Sequence, residues 1–599
     1  MDTRVKSTII QLLPWLAIIL MVFVSYSRAI GNGEVWDDSV YLTAWNFTDI
    51  DGLKRIWLEP TSTRHPYYPM TRTLFWLEHQ ISGRDLRVHH FVNILLHTLS
   101  SLLIWRILLR FDIKAAWISA AAFAVHPICV QSVAWIAERK NVLSVFFYLA
   151  SLFAFLCYEP IRPTVRGGSR KFYLLSVLLF LFSVLSKTAF CTLGPALLLF
   201  FWWIQGAINK RTVLLSLPYF AIALLAGSFT MWLEKNHVGA QGSYWQFSFI
   251  DRILIAGRAV WFYAKQIVFP AEPAFMYPRW TIDAGLWRQY LFPGGLLITL
   301  LLLWKLRNRI GRAPLCAVLF FIGTLMPALS FINFFWMKFS FVSDHLQYLP
   351  QTGVIVLVSS MIHSLLTRFS IRREIATAIW VAFFSLLMIQ TWNHTGVFKD
   401  NLVLYDHTIE KNPNSSLAHC NRGLIYLNSG HSDEALQDFN RAVSLDARNE
   451  EAYLNRGHYY FQQKNYERAL QDFNAILQFN PYFVDSYVNR GTVNFVRKNY
   501  DAAMQDFSIA IRLDPTFARA YASRGVVFSI AKQYDRALND YNKAIDLDPF
   551  YGPSFINRSL NHRDMKQFDK ALEDALKARE LGVKVSPDYL QSLKIPPVP

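Results

Sequence analysis

Long apolar runs separated by short polar segments fill the first two thirds of the chain. About eleven of these runs approach or exceed the length at which a helix crosses a hydrocarbon layer roughly 30 Å thick. They cover approximately residues 8–28, 90–109, 115–133, 142–158, 172–188, 189–204, 212–233, 287–304, 314–332, 346–366 and 374–393. The pattern therefore predicts an all-α membrane domain over 1–398, built as a polytopic bundle of transmembrane helices.

After Trp392 the pattern changes to a period of 34 residues. Asn-Arg-Gly at 421–423 recurs at 455–457 and 489–491, then as Ser-Arg-Gly at 523–525 and as Asn-Arg-Ser at 557–559. A 34-residue period is typical of the tetratricopeptide repeat (TPR), a helix hairpin that stacks into an α-solenoid. We predict about five repeats over 415–582, within a domain at 399–599 that ends in a C-terminal tail. Its repeated residues are scaffold, and any ligand is held by the non-repeated residues of the concave face.

The charge distribution indicates how the helices are oriented. The net charge is +17, and the excess lies entirely in residues 1–398, which hold 35 basic and 18 acidic residues against 25 of each in 399–599. An excess confined to membrane loops is typical of cytoplasmic loops, and it does not predict a nucleic-acid-binding face. With Arg4 and Lys6 inside, an odd number of spans puts the TPR domain outside the cytoplasm. The loop at 29–88 and the segment at 234–286 are then extracytoplasmic.

Segment 251–270 decides whether this topology holds. It is apolar, but Arg252, Arg258 and Lys265 interrupt it. Counting it as a span would move every later basic loop to the outside, so we interpret it as an interfacial or pocket-lining helix. The five cysteines are scattered without a CxxC spacing, so neither a zinc site nor a disulfide framework is predicted.

The first extracytoplasmic loop carries two adjacent carboxylates, Asp37 and Asp38, close to the first helix. Two such groups near a membrane surface repel each other and need a cation, a hydrogen-bond donor or a substrate proton. They are candidates for a general base or a metal ligand. The alternative is that they cap a helix that begins at Val40.

Further polar residues fall on the same predicted side of the membrane. They are His65 and Arg72 in the first loop, His126, Glu138, Arg139 and Lys140 in the next outer turn, Lys187 in a third, and Asp344 and His345 in a fourth. Isolated charge beside an apolar span is costly, so these cations either face a polar cavity or extend to lipid headgroups. A carboxylate pair near several cations suits a site that binds a lipid phosphate and deprotonates a hydroxyl group.

The order of these motifs resembles one known family. Asp37-Asp38, HHFVNILLHTLSSLLIWRILLR (89–110), FAVHPICVQSVAWIAERKNVLSVFFYLA (123–150), LSKTAF (185–190) and SDHLQYLP (343–350), all ahead of TPRs, resemble the transmembrane-and-TPR (TMTC-like) glycosyltransferases of the GT-C superfamily. Two departures stand out. Thr188 occupies a position where relatives often have Glu or Pro, and His345 replaces an Arg, so that a permanent cation becomes a titratable group.

The resemblance implies an inverting transfer of a sugar, mannose in the best-known relatives, from a polyprenyl-phosphate donor to a hydroxyl group of a protein. The Asp pair would supply the catalytic base. Arg139, Lys140 and Lys187, with Arg72, would hold the donor phosphate. His65, His126, Glu138, Asp344 and His345 would line the pocket. No cofactor or metal is expected, because a lipid phosphate is already a good leaving group, although a divalent metal is not excluded.

The short TPR array favours a bacterial inner-membrane protein with its repeats in the periplasm or outside the cell. The alternative location is the endoplasmic reticulum with luminal repeats. Expected partners are the lipid-linked donor, membrane lipid and a protein acceptor bound by the TPRs. Two other functions stay open at this point, namely a non-catalytic TPR scaffold and a transferase whose acceptor is a glycan or a lipid.

Overall fold

The computed structural model describes residues 3–42, 49–60, 67–159, 167–238, 243–271 and 273–594, with side chains from residue 12 onward. Within these ranges the secondary structure is helical, without a strand. The chain divides into two compact units, residues 1–415 and residues 416–599. The predicted all-α class, with a membrane bundle followed by a TPR solenoid, is confirmed.

The first unit contains seventeen of the described helices. They are α1 (Thr3–Tyr26), α2 (Asp38–Leu42), α3 (Ile50–Leu58), α4 (Pro69–Ser82), α5 (Leu86–Arg110), α6 (Ala116–Ala124), α7 (Val130–Ala134), α8 (Arg139–Tyr158), α9 (Arg170–Ser186), α10 (Leu193–Gln205), α11 (Lys210–Leu233), α12 (Phe249–Val268), α13 (Leu291–Leu306), α14 (Ala313–Leu325), α15 (Gln351–Arg368), α16 (Arg373–Thr395) and α17 (Asn401–Lys411). Short 3₁₀ turns join several of them.

Each of the eleven apolar runs falls on a helix, but not every helix could cross a membrane alone. Among the described residues, seven helical segments are long and apolar enough, and an eighth is the pair α6 and α7, which bend by 48° around Pro127. Helices α9 and α14 are only 17 and 13 residues long, and α15 carries several polar residues. The unit is a multi-pass membrane bundle, while the count of eleven spans stays a prediction.

Helix α12 covers the ambiguous segment and is not among the candidate spans. Its N-terminus is closed by a capping box between Ser248 and Asp251. Leu254, Ile255 and Tyr263 are buried, whereas the Arg258 guanidinium carbon lies 4.4 Å from the centre of the Trp280 ring. The interpretation of this helix as an interfacial or pocket-lining element stays a prediction.

Serine pairs hold α8 and α9 close together. Ser144 Oγ donates to the Ser183 carbonyl over 2.7 Å, and Ser183 Oγ donates back to the Ser144 carbonyl over 2.8 Å. Small residues permit close approach of membrane helices, and the hydroxyl groups add interhelical hydrogen bonds. Lys140 lies one turn before Ser144 and Lys187 lies one turn after Ser183, so this antiparallel pairing brings the two lysines to the same end of the helix pair.

The second unit consists of five helix hairpins and a final helix. The hairpins pair α18 (Ser416–Asn428) with α19 (Ser432–Leu445), α20 (Glu450–Gln462) with α21 (Tyr466–Phe479), α22 (Val484–Val496) with α23 (Tyr500–Leu513), α24 (Ala518–Ile530) with α25 (Tyr534–Leu547) and α26 (Gly552–Asp564) with α27 (Phe568–Glu580), and α28 (Pro587–Lys594) follows. The repeated glycine is needed because a Cβ at Gly457 would lie only 2.6 Å from the Phe473 ring.

The repeated arginine of each hairpin is held by an aspartate sixteen positions later. Arg456, for example, donates from Nε and Nη2 to the two carboxylate oxygens of Asp472 over 3.0 and 2.7 Å. This bidentate geometry explains why arginine recurs rather than lysine. The repeated polar residues thus stabilise the solenoid.

Candidate active site

Asp38 is fully buried at the start of α2. Its Oδ2 accepts from the Val35 backbone N–H over 2.9 Å, and its Oδ1 accepts from the Ala137 N–H over 2.7 Å. Burial raises its pKa well above the usual value, and the two backbone hydrogen bonds oppose that rise. Asp38 therefore ties the first loop to the turn that precedes α8.

Asp37 points toward the cations, and its side chain is 24% exposed. Its Oδ2 lies 3.9 Å from Lys140 Nζ, and its Oδ1 has no hydrogen-bond partner within the described ranges. Burial raises the pKa of Asp37, whereas Lys140 lowers it and Glu138 raises it further. Trp36, just before it, has a φ of 52°, an uncommon conformation for a bulky residue. Asp37 thus places a carboxylate oxygen beside Lys140, whereas both carboxylate oxygens of Asp38 accept from backbone N–H groups.

Two lysines converge on one buried carboxylate beside Asp37. Lys140 Nζ lies 2.9 Å from Glu138 Oε1, and Lys187 Nζ lies 3.3 Å from Glu138 Oε2. Glu138 and both lysines are less than a tenth exposed. Buried charges of this kind need partners, and Glu138 orients both ammonium groups. The arrangement therefore places the ammonium groups of Lys140 and Lys187 and the unpartnered Oδ1 of Asp37 in a confined space.

Arg139 stands between Glu138 and Lys140 in the sequence, but its side chain points away from the cluster that these two residues form. Its guanidinium group donates to the Glu78 carboxylate and the Asn93 side-chain oxygen and to the His89 carbonyl over 2.6 Å. It is fully buried, and it lies over the Phe75 ring. All three guanidinium nitrogens therefore bind protein groups.

Arg72 lies on α4 at the edge of the same cluster. Its guanidinium carbon is 6.0 Å from the centre of the Tyr41 ring, and Lys140 Nζ approaches the same ring at 5.3 Å. Burial lowers the pKa of Arg72. The shared aromatic ring brings Arg72 into the neighbourhood of Lys140. His65 lies outside the described residues.

His126 and Asp344 are bound to protein groups. His126 Nε2 donates to the Ile267 carbonyl over 2.9 Å, and its Nδ1 accepts from the Ile128 N–H over 3.3 Å, which ties the bend between α6 and α7 to the end of α12. The Asp344 carboxyl group accepts from the Tyr277 hydroxyl over 3.0 Å. Both side chains are buried and hold segments of the first unit together.

His345 is closer to the charged cluster. Its ring lies edge-on to Trp135, with 6.0 Å between ring centres, and to Trp336, at 5.4 Å, and its Nδ1 lies 2.8 Å from Ser343 Oγ. Burial lowers its pKa to about 3, and Glu138 opposes that shift. His345, where the family resemblance implies an arginine, is therefore neutral at physiological pH.

Asp344 provides a test of this description, because burial raises its pKa to about 7, whereas an unfolded Asp titrates near 4. Its stabilising contribution is complete below about pH 4 and is lost as the pH rises to about 7, because the unfolded chain releases its proton first. We expect Asp344→Asn, which keeps a carbonyl acceptor for Tyr277, to gain stability relative to the native protein across this window. Thermal unfolding in detergent between pH 4 and 8 measures the difference, with exposed Asp283→Asn as the control. Parallel curves for Asp344→Asn and the native protein would contradict this expectation.

Aromatic side chains that the sequence analysis did not single out form the rest of the wall. The Trp36 ring packs against Phe275 at 5.4 Å and against Trp336 at 6.4 Å, and Trp135 also packs against Phe275, at 5.4 Å. In a membrane protein rich in aromatics, no spacing signal distinguishes these rings from ordinary packing. Among the described residues, no group of three or more His, Cys, Asp or Glu side chains is arranged to hold a metal ion.

Family comparisons match both units. Residues 64–232 match the dolichyl-phosphate-mannose-protein mannosyltransferase family, and residues 420–482 and 518–551 match tetratricopeptide repeat families. The crystal structure of YrrB, a TPR protein, aligns with 32% of this chain and 96% of that one, at 22% identity and a TM-score of 0.25.

Curated protein O-mannosyl-transferases are similar to parts of the chain. The protein O-mannosyl-transferase F38B6.6 of Caenorhabditis elegans is 23% identical over 467 residues, covering 73% of this chain and 63% of the relative. Human protein O-mannosyl-transferase TMTC3 is 30% identical over 151 residues, covering 24% of this chain and 16% of the relative. The chain thus spans less than two thirds of the length of each. The chain is therefore similar to protein O-mannosyl-transferases, and a segment that matches the mannosyltransferase family is followed by TPRs.

Proposed function

We propose that the protein is a membrane glycosyltransferase that transfers a sugar, mannose, from a polyprenyl-phosphate donor to hydroxyl groups of a protein. The names of the relatives and the matched mannosyltransferase family support the class of reaction. The single observation that carries the proposal is the buried cluster in which Asp37 approaches Lys140, while Lys140 and Lys187 share Glu138.

Charge balance in this cluster suits a lipid phosphate. Arg72, Lys140 and Lys187 supply three positive charges, and ionised Asp37 and Glu138 supply two negative ones, so the five groups together carry one positive charge. A polyprenyl-phosphate sugar is a phosphodiester with a single negative charge, which would neutralise the cluster. Once the sugar departs, the lipid phosphate carries a second negative charge, and the two ammonium groups stabilise that developing charge.

Asp37 acts as the general base in this proposal. It takes the proton of the acceptor hydroxyl as that oxygen forms a bond to the anomeric carbon. The bond between the anomeric carbon and the phosphate oxygen breaks, and its electron pair leaves with the lipid phosphate. Attack from the face opposite the phosphate inverts the configuration of the sugar. No cofactor takes part in this scheme, since the phosphate is already a good leaving group.

Asp38 and Arg139 act as positioning residues. Asp38 binds the Val35 and Ala137 backbone N–H groups, and Arg139 fixes the start of α8 through Glu78 and Asn93. Both therefore hold the elements that carry Asp37 and Lys140, and each side-chain nitrogen of Arg139 and each carboxylate oxygen of Asp38 already binds a protein group. The TPR unit binds the acceptor polypeptide and raises its local concentration. We place this chemistry on the extracytoplasmic side of a bacterial inner membrane.

Purified full-length protein in lipid tests the proposal. We expect it to transfer labelled mannose from polyprenyl-phosphate mannose to a Ser/Thr-rich peptide. We expect Lys140→Gln and Lys187→Gln each to lower kcat/KM for the donor by about tenfold to a hundredfold, as for the loss of one charged hydrogen bond. Lys54→Gln, an exposed lysine in an ion pair with Asp51, is the matched control. If the native protein transfers no mannose but still assembles a protein complex through its TPRs, the scaffold function would replace this proposal.

A further inference from the structure

Glu234, like Asp37, is a carboxylate of the first unit with one oxygen that lacks a hydrogen-bond partner among the described residues. It follows α11 directly and begins a π-helical turn, Glu234–Val238. Its Oε2 is buried, and no hydrogen-bond donor reaches that atom among the residues that the structure describes. Single π turns are frequent at functional sites, and an unsatisfied buried carboxylate oxygen is costly unless a ligand completes it.

The neighbours of Glu234 connect it to the charged cluster. Thr230, one turn earlier on the same face of α11, lies 2.8 Å from Thr188, the residue after Lys187, measured between their hydroxyl oxygens. Tyr68 interacts electrostatically with Glu234 and also with Lys140. Tyr68 therefore links Glu234 to Lys140, and the Thr188–Thr230 contact joins the end of α11 to the residue after Lys187.

A second contact places Glu234 beside the aromatic wall. The backbone of Phe335 lies close enough to the Glu234 carboxyl group to interact with it electrostatically. The next residue, Trp336, packs against Trp36 and His345. Glu234 therefore has Tyr68 as a neighbour on one side and the segment that carries Trp336 as another.

We propose that Glu234 binds hydroxyl groups of the transferred sugar. This inference rests on the function proposed above, in which Lys140 and Lys187 hold the phosphate of the donor. The Glu234 carboxyl oxygens accept hydrogen bonds from neighbouring sugar hydroxyls, which orients the donor with its sugar toward Glu234 and its phosphate toward the lysines. Trp336 and Tyr68 supply the flat apolar surfaces on which the C–H faces of a sugar ring pack. Glu234 is thus a specificity-determining residue for the sugar.

A donor series tests this role in the full-length protein. The donors are polyprenyl-phosphate mannose and its 2-, 3-, 4- and 6-deoxy analogues, and the variants are Glu234→Ala and Glu234→Gln, with exposed Glu410→Gln as control. We expect Glu234→Ala to lower kcat/KM for the intact donor about tenfold to a hundredfold, as for the loss of one or two hydrogen bonds to a charged group. Glu234→Gln retains one carbonyl acceptor and should lose less.

The deoxy donor that lacks the contacted hydroxyl should identify the contact. The native protein should use that deoxy donor as poorly as Glu234→Ala uses the intact donor. Glu234→Ala should lose no further activity when the intact donor is replaced by the deoxy donor. An equal loss with every donor, or a change only in the KM of the acceptor peptide, would overturn the assignment. Donor binding measured by tryptophan fluorescence tests Glu234 without turnover. Equal donor binding by native protein and Glu234→Ala would also overturn it, even if the native protein proved inactive as a transferase.

Discussion

Asp37→Asn should lower kcat for sugar transfer by about a hundredfold to ten-thousandfold, which is the usual contribution of a general base. The amide cannot take the proton of the acceptor hydroxyl, but it preserves the shape of the side chain. The KM for the donor should not rise, because the substitution removes a negative charge 3.9 Å from Lys140 and so strengthens the attraction of that lysine for phosphate. Initial rates at several donor concentrations separate kcat from KM.

The pH dependence gives the same substitution a second readout. Burial raises the pKa of Asp37 above its usual range, so the native enzyme should lose activity on acidification at a higher pH than an ordinary aspartate would cause. Activity is present above that raised pKa and disappears below it, since the protonated group cannot act as a base. Asp37→Asn should lack this acidic limb. If Asp37→Asn kept the same acidic limb, the limb would belong to another titrating group.

Asp38→Asn is the matched control for the adjacent position. Its amide nitrogen would face one of two backbone donors, Val35 N–H or Ala137 N–H, so we expect lower thermal stability. The acidic limb should persist in whatever fraction folds. If Asp38→Asn proved fully stable but inactive while Asp37→Asn stayed active, Asp38 would be the general base and Asp37 the positioning residue.

The contrast between these neighbours shows where sequence reasoning ends. The apolar runs and the 34-residue period depend on local spacing, so the helical bundle and the TPR hairpins could be predicted from sequence. The pair Asp37-Asp38 was also recognisable as a candidate base. What distinguishes its members is the hydrogen bond that the Ala137 N–H, 99 residues away, donates to Asp38, together with the left-handed backbone at Trp36. No pattern in one sequence reports such a long-range contact.

The glutamates illustrate a similar limit. Glu138 was recognisable as a pocket candidate, but its bridge to Lys187 depends on the register of α8 against α9, which the Ser144 and Ser183 hydrogen bonds set. Glu234 stands immediately after an apolar run, where a charged residue usually marks the end of a span, so its position carried no functional signal. Buried carboxylates in a membrane protein are therefore better identified from their partners than from their spacing.

Arg139→Ala should destabilise the first unit by about 3–5 kcal/mol, as expected when one member of a buried ion pair is removed. The substitution leaves Glu78 without its cation, and it removes the donors that bind Asn93 and the His89 carbonyl. It also leaves a cavity where a large, fully buried side chain lies against Phe75. Thermal unfolding of the purified protein in detergent, together with the yield of folded protein, measures the loss.

Lys140→Gln is the control that separates stability from chemistry, because the adjacent lysine faces Asp37 and Glu138 instead. We expect Lys140→Gln to lose donor affinity with a much smaller change in unfolding temperature. Combining Arg139→Met with Glu78→Leu should recover part of the stability that either change alone removes, since an apolar pair can replace a buried ion pair. A stable Arg139→Ala protein with a raised donor KM would instead return Arg139 to the phosphate site that the family resemblance implies.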